Sequence, residues 1–249
     1  MCLRDTDSIF IFQKGFNYSQ DGPGNRLVYH LSGCNFRCPW CSNPEGLSID
    51  DNAQRLTIDD VVKEALSAKM ILIDGGGVTL TGGEVTCQKD GVLKLIKALK
   101  EKDVNTCIET NASLSGCEEI FDTVDYMIAD FKSPYEEKIS SIGGDIETIK
   151  KNLLYRAETK KPLLVRIPLI KFFNCGEENA KAFALFFEEL NNTGNEKLFF
   201  EILTYHEFGK EKYNKLNMEY TVTDGYVTED DIKILLKELK NKNLKIINT

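Results

Sequence analysis

The sequence has no apolar run long enough to cross a membrane, because no stretch approaches the roughly 18 apolar residues that a spanning helix needs. It has only 6 prolines in 249 residues and no low-complexity segment, and 42% of its residues are hydrophobic. This composition excludes a disordered or collagen-like chain. Basic residues are not in excess, since the net charge is -8, and this argues against a nucleic-acid-binding protein.

The N-terminal segment also lacks the pattern of an export signal. Apolar residues 9–12 follow acidic residues and are broken at once by Gln13 and Lys14, so the run is too short for a signal peptide. We therefore expect a cytoplasmic protein in a reducing compartment, where its 8 cysteines do not form disulfides. Metal ligands, reactive thiols and buried packing residues remain as roles for these cysteines.

Apolar periodicity alternates between strand-like and helix-like segments along the chain. Strands are predicted at 26–33, 77–81, 104–109, 126–130, 162–169 and 198–203. Helices are predicted at 57–69, with Thr57 as N-cap, and at 89–101, 114–120, 145–158, 177–191 and 228–241. About six strand–helix units, fewer than the eight of a closed barrel, predict an α/β fold, a partial (β/α)6 TIM barrel of parallel strands that is open laterally. No linker divides the chain, so residues 1–249 are predicted to form a single domain.

The chemically unusual residues fall in loops that follow the predicted strands. These loops lie at 34–46, 81–88, 109–113, 130–135 and 204–210. In parallel α/β folds, ligands bind at the carboxyl ends of the strands. The sequence therefore predicts one functional site at that end of the sheet.

Three of the cysteines, Cys34, Cys38 and Cys41, form a C-x3-C-x2-C pattern directly after the first predicted strand. Three thiolates on one short loop can hold three corners of a cubane iron–sulfur cluster and leave the fourth iron open to another ligand. A zinc site is the alternative, but zinc favours four ligands in paired C-x2-C arms, and His30 lies in the strand rather than in such an arm. The pattern therefore favours the cluster.

This pattern, with the aromatic Trp40 before its last cysteine, resembles the signature of the radical S-adenosylmethionine (SAM) superfamily. Further segments resemble the glycyl-radical-enzyme activating enzymes and occur in the order typical of that family. They are DGPG at 21–24, GGGVTLTGGE at 75–84, ETN at 109–111, DFK at 130–132 and YHEFGK at 205–210. The ferredoxin-like insert that some relatives carry after the NPE segment at 43–45 is absent, so one 4Fe–4S cluster is predicted.

The resemblance implies that Cys34, Cys38 and Cys41 hold the cluster and that SAM binds beside it. Glu84 would receive the amino group of SAM, and two glycines before it would let the backbone approach a ligand closely. The cofactor-binding residues implied are Trp40, Gly82, Gly83, Glu84, Glu109, Asp130, Lys132, Arg166 and His206, with Asp21 on the substrate side. The remaining cysteines, Cys2, Cys87, Cys107, Cys117 and Cys175, have no ligand spacing, and Cys107 is expected in the core.

Glu109 and Asp130 end consecutive predicted strands, so their carboxylates should face the same mouth and could bind a hard cation. The resemblance implies a monovalent-cation site at these two positions, beside the carboxylate of SAM. Aspartate is commoner at the first position, and the extra methylene of Glu109 changes the cation geometry. Lys132 should point the same way as Asp130, and Arg166 should meet a carboxylate of the site. A surface position is the alternative for Glu109, and an outward or edge position for Arg166.

A second departure from the family pattern is Ala112, which stands where glycine is usual after the ETN segment. Alanine would be strained if that turn needs a positive φ.

The resemblance implies an oxidoreductase that reductively cleaves SAM to a 5′-deoxyadenosyl radical and generates a glycyl radical on a partner glycyl radical enzyme. The electron donor would be a flavodoxin or ferredoxin. These donors are acidic as a class, so docking to a chain of net charge -8 needs a local basic patch, for which Arg26 and Arg37 are candidates.

Two other functions remain open at this point. One is a radical SAM enzyme that acts on a small molecule, similar to 7-carboxy-7-deazaguanine synthase. The other is a non-catalytic iron–sulfur electron carrier or binding module. In each case we expect a monomer with no membrane or nucleic-acid partner.

Overall fold

Short buried strands, most of them parallel, form the centre of the structure, a computed structural model that describes residues 6–247. Within these residues one sheet contains β1 (Ser8–Tyr18), β2 (Asn25–Leu31), β3 (Gln54–Thr57), β4 (Gly77–Gly82), β5 (Asn105–Thr110), β6 (Tyr126–Asp130), β7 (Leu163–Leu169), β8 (Leu198–Thr204) and β9 (Ile246–Ile247). The helices are α1 (Ile58–Ser67), α2 (Lys89–Lys100), α3 (Glu118–Thr123), α4 (Glu136–Ser141), α5 (Ile146–Glu158), α6 (Lys171–Asn174), α7 (Glu177–Asn192), α8 (Lys210–Lys215) and α9 (Glu229–Asn241).

The strand order is β3-β1-β2-β4-β5-β6-β7-β8-β9. Neighbouring strands from β2 to β9 pair in parallel, whereas β1 pairs antiparallel with both β2 and β3. The order ends at β3 on one side and β9 on the other, so the sheet does not close within the described residues. This confirms the predicted open, partial barrel, and its six predicted strands correspond to β2 and to β4 through β8.

The strands at the edges have no counterpart in the prediction. In β1 only the first few residues are mainly buried, and the strand becomes exposed from residue 13 onwards, so its apolar stretch is short. β3 is four residues long and has no buried residue. Strands at the edge of a sheet are less buried than central strands, so fewer of their residues need to be apolar. They therefore lack the apolar pattern that marks the central parallel strands.

Helix starts follow the capping residues of the sequence. The Thr57 side chain accepts a hydrogen bond from the Asp60 backbone N–H, so the predicted N-cap of α1 is confirmed. The predicted helix at 114–120 is displaced, because α3 begins at Glu118 and Cys117 therefore precedes the helix instead of lying on it.

The two faces of the sheet are filled differently. Helices cover one face and build the main core, in which Phe187 of α7 stacks on Phe200 of β8 with ring centroids 4.5 Å apart. On the other face a small apolar cluster of Cys107, Ile128 and Leu164 occupies neighbouring strands. Cys107 is fully buried, as predicted, whereas Cys2 lies outside the described residues.

Burial raises the pKa of the Cys107 thiol from its ordinary value of 9.0 to about 12. The unfolded chain therefore loses this proton at a lower pH than the folded chain, so stability is full below about pH 9 and decreases as the pH rises towards the folded value. Each such thiol contributes a slope of about 1.4 kcal/mol per pH unit. Above about pH 9, we expect the free energy of unfolding of Cys107→Ala to fall with pH less steeply than that of the natural protein, by about 1.4 kcal/mol per pH unit. Urea denaturation of reduced, cluster-free protein at several pH values measures this slope.

The matched control is Val165→Ala, a buried truncation on β7 that removes no ionisable group. It should lower the free energy of unfolding without changing its dependence on pH. An unchanged slope in Cys107→Ala would contradict the assignment of this pH dependence to the buried thiol.

Candidate active site

A cavity of about 230 Å³ opens where the parallel strands end. Its walls come from the ends of β4, β5, β6, β7 and β8 and from the segments that follow β2 and these strands, as the sequence predicts for an α/β fold. Of the predicted site residues, those that line it are Cys34, Cys38, Trp40, Cys41, Gly82, Gly83, Glu109, Asp130, Lys132 and His206. Glu84, Arg166 and Asp21 lie outside this lining.

The cluster loop, residues 32–43, is held on both sides by neighbouring segments. The Gly33 backbone N–H donates to the carbonyl oxygen of Gly46 at 2.8 Å, and the Arg37 N–H donates to Ile142 at 2.8 Å. The Asn35 side chain donates to Ser113 Oγ at 2.7 Å, which ties the loop to the segment after β5. These contacts use backbone and amide groups, so they orient the loop and leave the cysteine sulfurs for a ligand.

Burial raises the pKa of Cys34 to about 11 and that of Cys38 to about 12, and it also raises the pKa of Cys41. Without a metal, these thiols therefore keep their protons at neutral pH. Iron binding has to displace the protons, as it does wherever a buried thiol becomes a ligand.

The thiols fit an iron–sulfur cluster better than a zinc ion. In residues 6–247 no group of three or more His, Cys, Asp or Glu side chains is placed to hold a single metal ion. A cubane cluster does not need its ligands to converge on one point, because each thiolate binds a different iron. Cys34, Cys38 and Cys41, which all line the cavity, would hold three of the four irons of such a cluster.

Gly82 and Gly83 line the cavity, and they also let two parts of the backbone approach each other. A Cβ atom on Gly83 would lie 2.3 Å from the carbonyl oxygen of Gly33 and 2.6 Å from that of Gly46. Gly82 has a φ of +111°, a conformation that favours glycine. The sequence predicts that glycine is needed here for a ligand to approach the backbone. The close packing of Gly83 against the cluster loop is already enough to require glycine at this position.

Glu84 lies behind the cavity wall, with only 1% of its surface exposed. Its Oε1 accepts hydrogen bonds from the N–H and Oγ1 of Thr86 at 3.0 and 2.6 Å and from Thr110 Oγ1 at 2.7 Å. Its Oε2 accepts one from the Asn111 N–H at 2.7 Å. In this structure Glu84 joins the ends of β4 and β5, and its contact with the amino group of SAM stays a prediction.

Glu109 and Arg166 form a largely buried ion pair. Arg166 Nη1 lies 2.9 Å from Glu109 Oε1, and Arg166 Nε lies 2.8 Å from Glu201 Oε2. The second Glu109 oxygen accepts a hydrogen bond from Thr81 Oγ1 at 2.6 Å. Burial lowers the pKa of Arg166, but Glu109 and Glu201 outweigh it and raise the pKa above its ordinary value, so the guanidinium is charged. The surface alternatives for Glu109 and Arg166 do not hold.

Asp130 and Lys132 point the same way, as strand alternation predicts, and their charged groups meet at 2.9 Å. Burial lowers the pKa of Lys132, but Asp130 and the nearby thiols raise it above the ordinary lysine value. The charged ammonium group of Lys132 therefore lines the same cavity as Cys34 and Cys38.

Tyrosines from the C-terminal part of the chain cover the cavity beside Cys38. Tyr205 lines the cavity, and its hydroxyl lies 2.7 Å from that of Tyr220. The Tyr220 ring packs against Tyr213, whose hydroxyl donates to the carbonyl oxygen of Cys38 at 3.3 Å. His206, also in the lining, stacks on Phe208 with centroids 4.1 Å apart, and burial lowers the pKa of its ring.

The loop between β1 and β2, residues 19–24, carries Asp21 and borders a second cavity of about 240 Å³ against β6 and β7. The Asp21 carboxylate accepts a hydrogen bond from Asn17 Nδ2 at 2.5 Å. Three side chains donate to backbone carbonyl groups of the loop: Arg166 to Gln20 at 2.6 Å, Thr79 to Asp21 at 2.7 Å and Arg26 to Pro23 at 3.1 Å.

The two arginines proposed for a basic docking patch lie in different environments. Arg26 is fully buried and donates to Thr79 Oγ1 and to the carbonyl oxygen of Val78, so it cannot contact an electron donor, and this prediction is wrong. Arg37 is exposed and donates to the carbonyl oxygen of Cys34 at 2.7 Å. Arg37 therefore stays a candidate beside the cluster loop.

Ala112 has a φ of +55° and is buried in the turn after β5. The condition under which alanine would be strained at this position is therefore met.

The sequence from residue 28 to residue 183, more than half of the chain, matches the family described as "Radical SAM superfamily". The chain belongs to this superfamily. It is 31% identical over 224 residues to the pyruvate formate-lyase-activating enzyme of Staphylococcus aureus, which covers 85% of this chain and 86% of that protein. The family recognised from the motifs is thereby confirmed. With it the chain is assigned as an activating enzyme of this superfamily, with a 4Fe–4S cluster and SAM as cofactors.

Solved structures share the fold. A domain of a pyruvate-formate lyase-activating enzyme from Bacteroides vulgatus has a TM-score of 0.54 at 22% identity and covers 69% of this chain and 98% of that one. Streptococcus suis SuiB, solved bound to S-adenosylmethionine, has a TM-score of 0.62 at 19% identity and covers 89% of this chain and 49% of that one. In the described residues, no helix is long and apolar enough to cross a membrane.

The four hydrogen bonds to Glu84 predict a structural effect of its substitution. We expect Glu84→Gln to lower the free energy of unfolding by about 2 kcal/mol. The substitution removes the charged acceptor, and it places an NH₂ group, which cannot accept a hydrogen bond, against groups that donate to Glu84 in the natural protein. Urea denaturation of cluster-free protein measures this change. Glu118→Gln, on a partly exposed glutamate 3.9 Å from Lys151, is the control and should leave stability nearly unchanged. Weaker SAM binding without loss of stability would instead show that the carboxylate contacts SAM.

Proposed function

We propose that this protein reductively cleaves SAM to a 5′-deoxyadenosyl radical and generates a glycyl radical on a partner glycyl radical enzyme. The observation that supports this most strongly is the meeting of Cys34, Cys38 and Cys41 with Gly83 and Lys132 in one cavity. The chain around this cavity is 31% identical to an enzyme named as the activator of pyruvate formate-lyase.

In this proposal the protein holds, orients and shields its cofactors. Cys34, Cys38 and Cys41 bind the cluster, which together with SAM supplies one-electron cleavage of a carbon–sulfur bond when both are bound. When SAM is bound, the ammonium group of Lys132 would be available to its carboxylate, and the backbone at Gly82 and Gly83 would be available to its amino group. Tyr205 and His206 cover the cavity on the side of the cluster loop and limit the access of water.

The partner's glycine segment would approach on the side of Asp21. The loop 19–24 and strands β6 and β7 enclose the second cavity there, and Arg166 lies between this cavity and Glu109 of the first. The sheet does not close within the described residues, and we propose that the partner's chain enters on its open side. We propose that residues 1–249 act as a single cytoplasmic domain and as a monomer.

The function is tested by anaerobic reconstitution of the cluster, reduction with dithionite and addition of SAM. We expect 5′-deoxyadenosine from the natural protein and none from Cys38→Ala, which lacks one cluster ligand. With a candidate glycyl radical enzyme present, a glycyl radical signal should appear in the electron paramagnetic resonance spectrum. Failure to form 5′-deoxyadenosine would sink the proposal and favour an electron carrier. Cleavage of SAM without a glycyl radical on any candidate would favour a small-molecule substrate, as in 7-carboxy-7-deazaguanine synthase.

We further propose that an acidic flavodoxin or ferredoxin docks beside the cluster loop at Arg37. Reversing this charge in Arg37→Glu should slow reduction by the donor several-fold at low salt, because steering between opposite charges is lost. Stopped-flow absorbance of the cluster measures the rate. Reduction by dithionite should be unchanged, and Lys233→Glu on the distant α9 should behave like the natural protein. Equal rates for Arg37→Glu and the natural protein would remove Arg37 from the docking surface.

A further inference from the structure

The C-terminal end of the cluster loop is bound by a lysine from a distant part of the sequence. Lys212 of α8 donates a hydrogen bond from Nζ to Asn43 Oδ1 at 3.1 Å, and the same ammonium lies 2.8 Å from Glu45 Oε1. Asn43 and Glu45 follow shortly after Cys41, the last of the three cluster cysteines. Lys212 therefore bridges two segments that are 169 residues apart and does so beside the cluster loop.

Helix α8 packs closely against the same loop and holds the ammonium of Lys212 near Cys41. A Cβ atom on Gly209, the residue before the helix, would clash with the carbonyl oxygen of Cys41. The Tyr213 hydroxyl donates to the carbonyl oxygen of Cys38 at 3.3 Å. Because the residues on either side of Lys212 contact the loop, the helix has little freedom to move away from it.

Glu45 carries a partly buried carboxylate, and Lys212 offsets its charge. The Lys212 side chain is 33% exposed and that of Glu45 is 27% exposed. Glu45 Oε2 is buried, and no donor within residues 6–247 forms a hydrogen bond with it. A carboxylate in such surroundings is costly unless a cation lies beside it, and Lys212 is in that position.

Both charges act on the sulfur of Cys41. Burial raises the pKa of this thiol, Glu45 adds to the rise, and Lys212 opposes it. The same two charges would act on the negative charge that a cluster gains on reduction, because net charge near the sulfurs influences cluster potentials. A negative charge at Glu45 without its partner would disfavour the reduced cluster, whereas a positive charge at Lys212 without its partner would favour it.

We propose that the ion pair of Lys212 and Glu45 sets the reduction potential of the 4Fe–4S cluster by offsetting a negative charge beside Cys41. Lys212 touches no reacting atom and is a positioning residue, which keeps its ammonium against Glu45 and the end of the cluster loop. The potential concerned is that for the uptake of one electron by the oxidised cluster. The inference needs only the bound cluster, so it depends neither on cleavage of SAM nor on a partner enzyme.

The test is an anaerobic redox titration of the cluster-loaded protein with dithionite and mediator dyes. The ratio of reduced to oxidised cluster is read by electron paramagnetic resonance at the midpoint potential of the natural protein. In Lys212→Met we expect this ratio to fall about fivefold, because the charge of Glu45 is no longer offset. In Glu45→Gln we expect it to rise about fivefold, because the amide still offers Lys212 an acceptor but has no negative charge.

Further variants separate the effect of charge from a general loosening of the site. Lys212→Arg keeps the cation, and the double variant Lys212→Met/Glu45→Gln removes both charges, so each should stay within about twofold of the natural ratio. Lys242→Met is the matched control, because Lys242 pairs with Glu188 at the same distance of 2.8 Å, towards the end of α7 that lies away from the cavity. Iron content and thermal unfolding confirm that each variant is loaded and folded.

Shifts of the same sign in Lys212→Met and Glu45→Gln would overturn the proposal, because loosening of the loop would then explain both. An unchanged ratio in both variants would also overturn it. If Lys212→Met holds no cluster, Glu45→Gln decides alone, and the absence of a rise in its ratio would contradict the proposal. Formation of 5′-deoxyadenosine from SAM, measured in the same samples, tests the proposed function separately, since its failure leaves the measured potentials unaffected.

Discussion

The active site depends on the buried carboxylate of Glu84. This group accepts hydrogen bonds from Thr86 in the turn after β4 and from Thr110 and Asn111 at the end of β5. Its own backbone N–H donates to the carbonyl oxygen of Gly33 at 2.8 Å, which adds the cluster loop to the same junction. Three separate parts of the cavity wall are thus fixed to one residue, and a buried charge with four donors tolerates little displacement of any of them.

Around this junction, the buried acids of the site have basic partners in the protein itself. Arg166 in β7 pairs with both Glu109 of β5 and Glu201 of β8, and Lys132 pairs with Asp130 at the end of β6. The spacing of these side chains is kept by the register of the parallel strands. In that register the Cα atom of Asp130 in β6 lies beside the Cα atom of Arg166 in β7. The sheet therefore sets the electrostatics of the cavity as well as its shape.

The central strands and the cluster loop could be predicted from the sequence because their signals are local. A buried parallel strand is a short apolar run, and three cysteines within eight residues suffice to mark a cluster. Other features depend on contacts that no local pattern carries. Glu201 was not predicted, because its partner Arg166 lies 35 residues away and nothing near Glu201 resembles a motif. The side-chain directions of Glu84 and Arg26 were also not determined, since a residue at the end of a strand can turn into the core or out to a cavity.

The loop at residues 19–24 is held in place through its main chain. Arg166, Thr79 and Arg26 bind the carbonyl oxygens of Gln20, Asp21 and Pro23, and these are groups that every amino acid possesses. These three anchors do not depend on the side chains at positions 20 and 21, which add hydrogen bonds to Asn17 at the end of β1. Gly22 and Gly24 supply the positive φ values that the path of the loop needs. Evolution or an engineer could therefore change the residues that this loop presents to another protein and keep the main-chain contacts that hold it beside the first cavity.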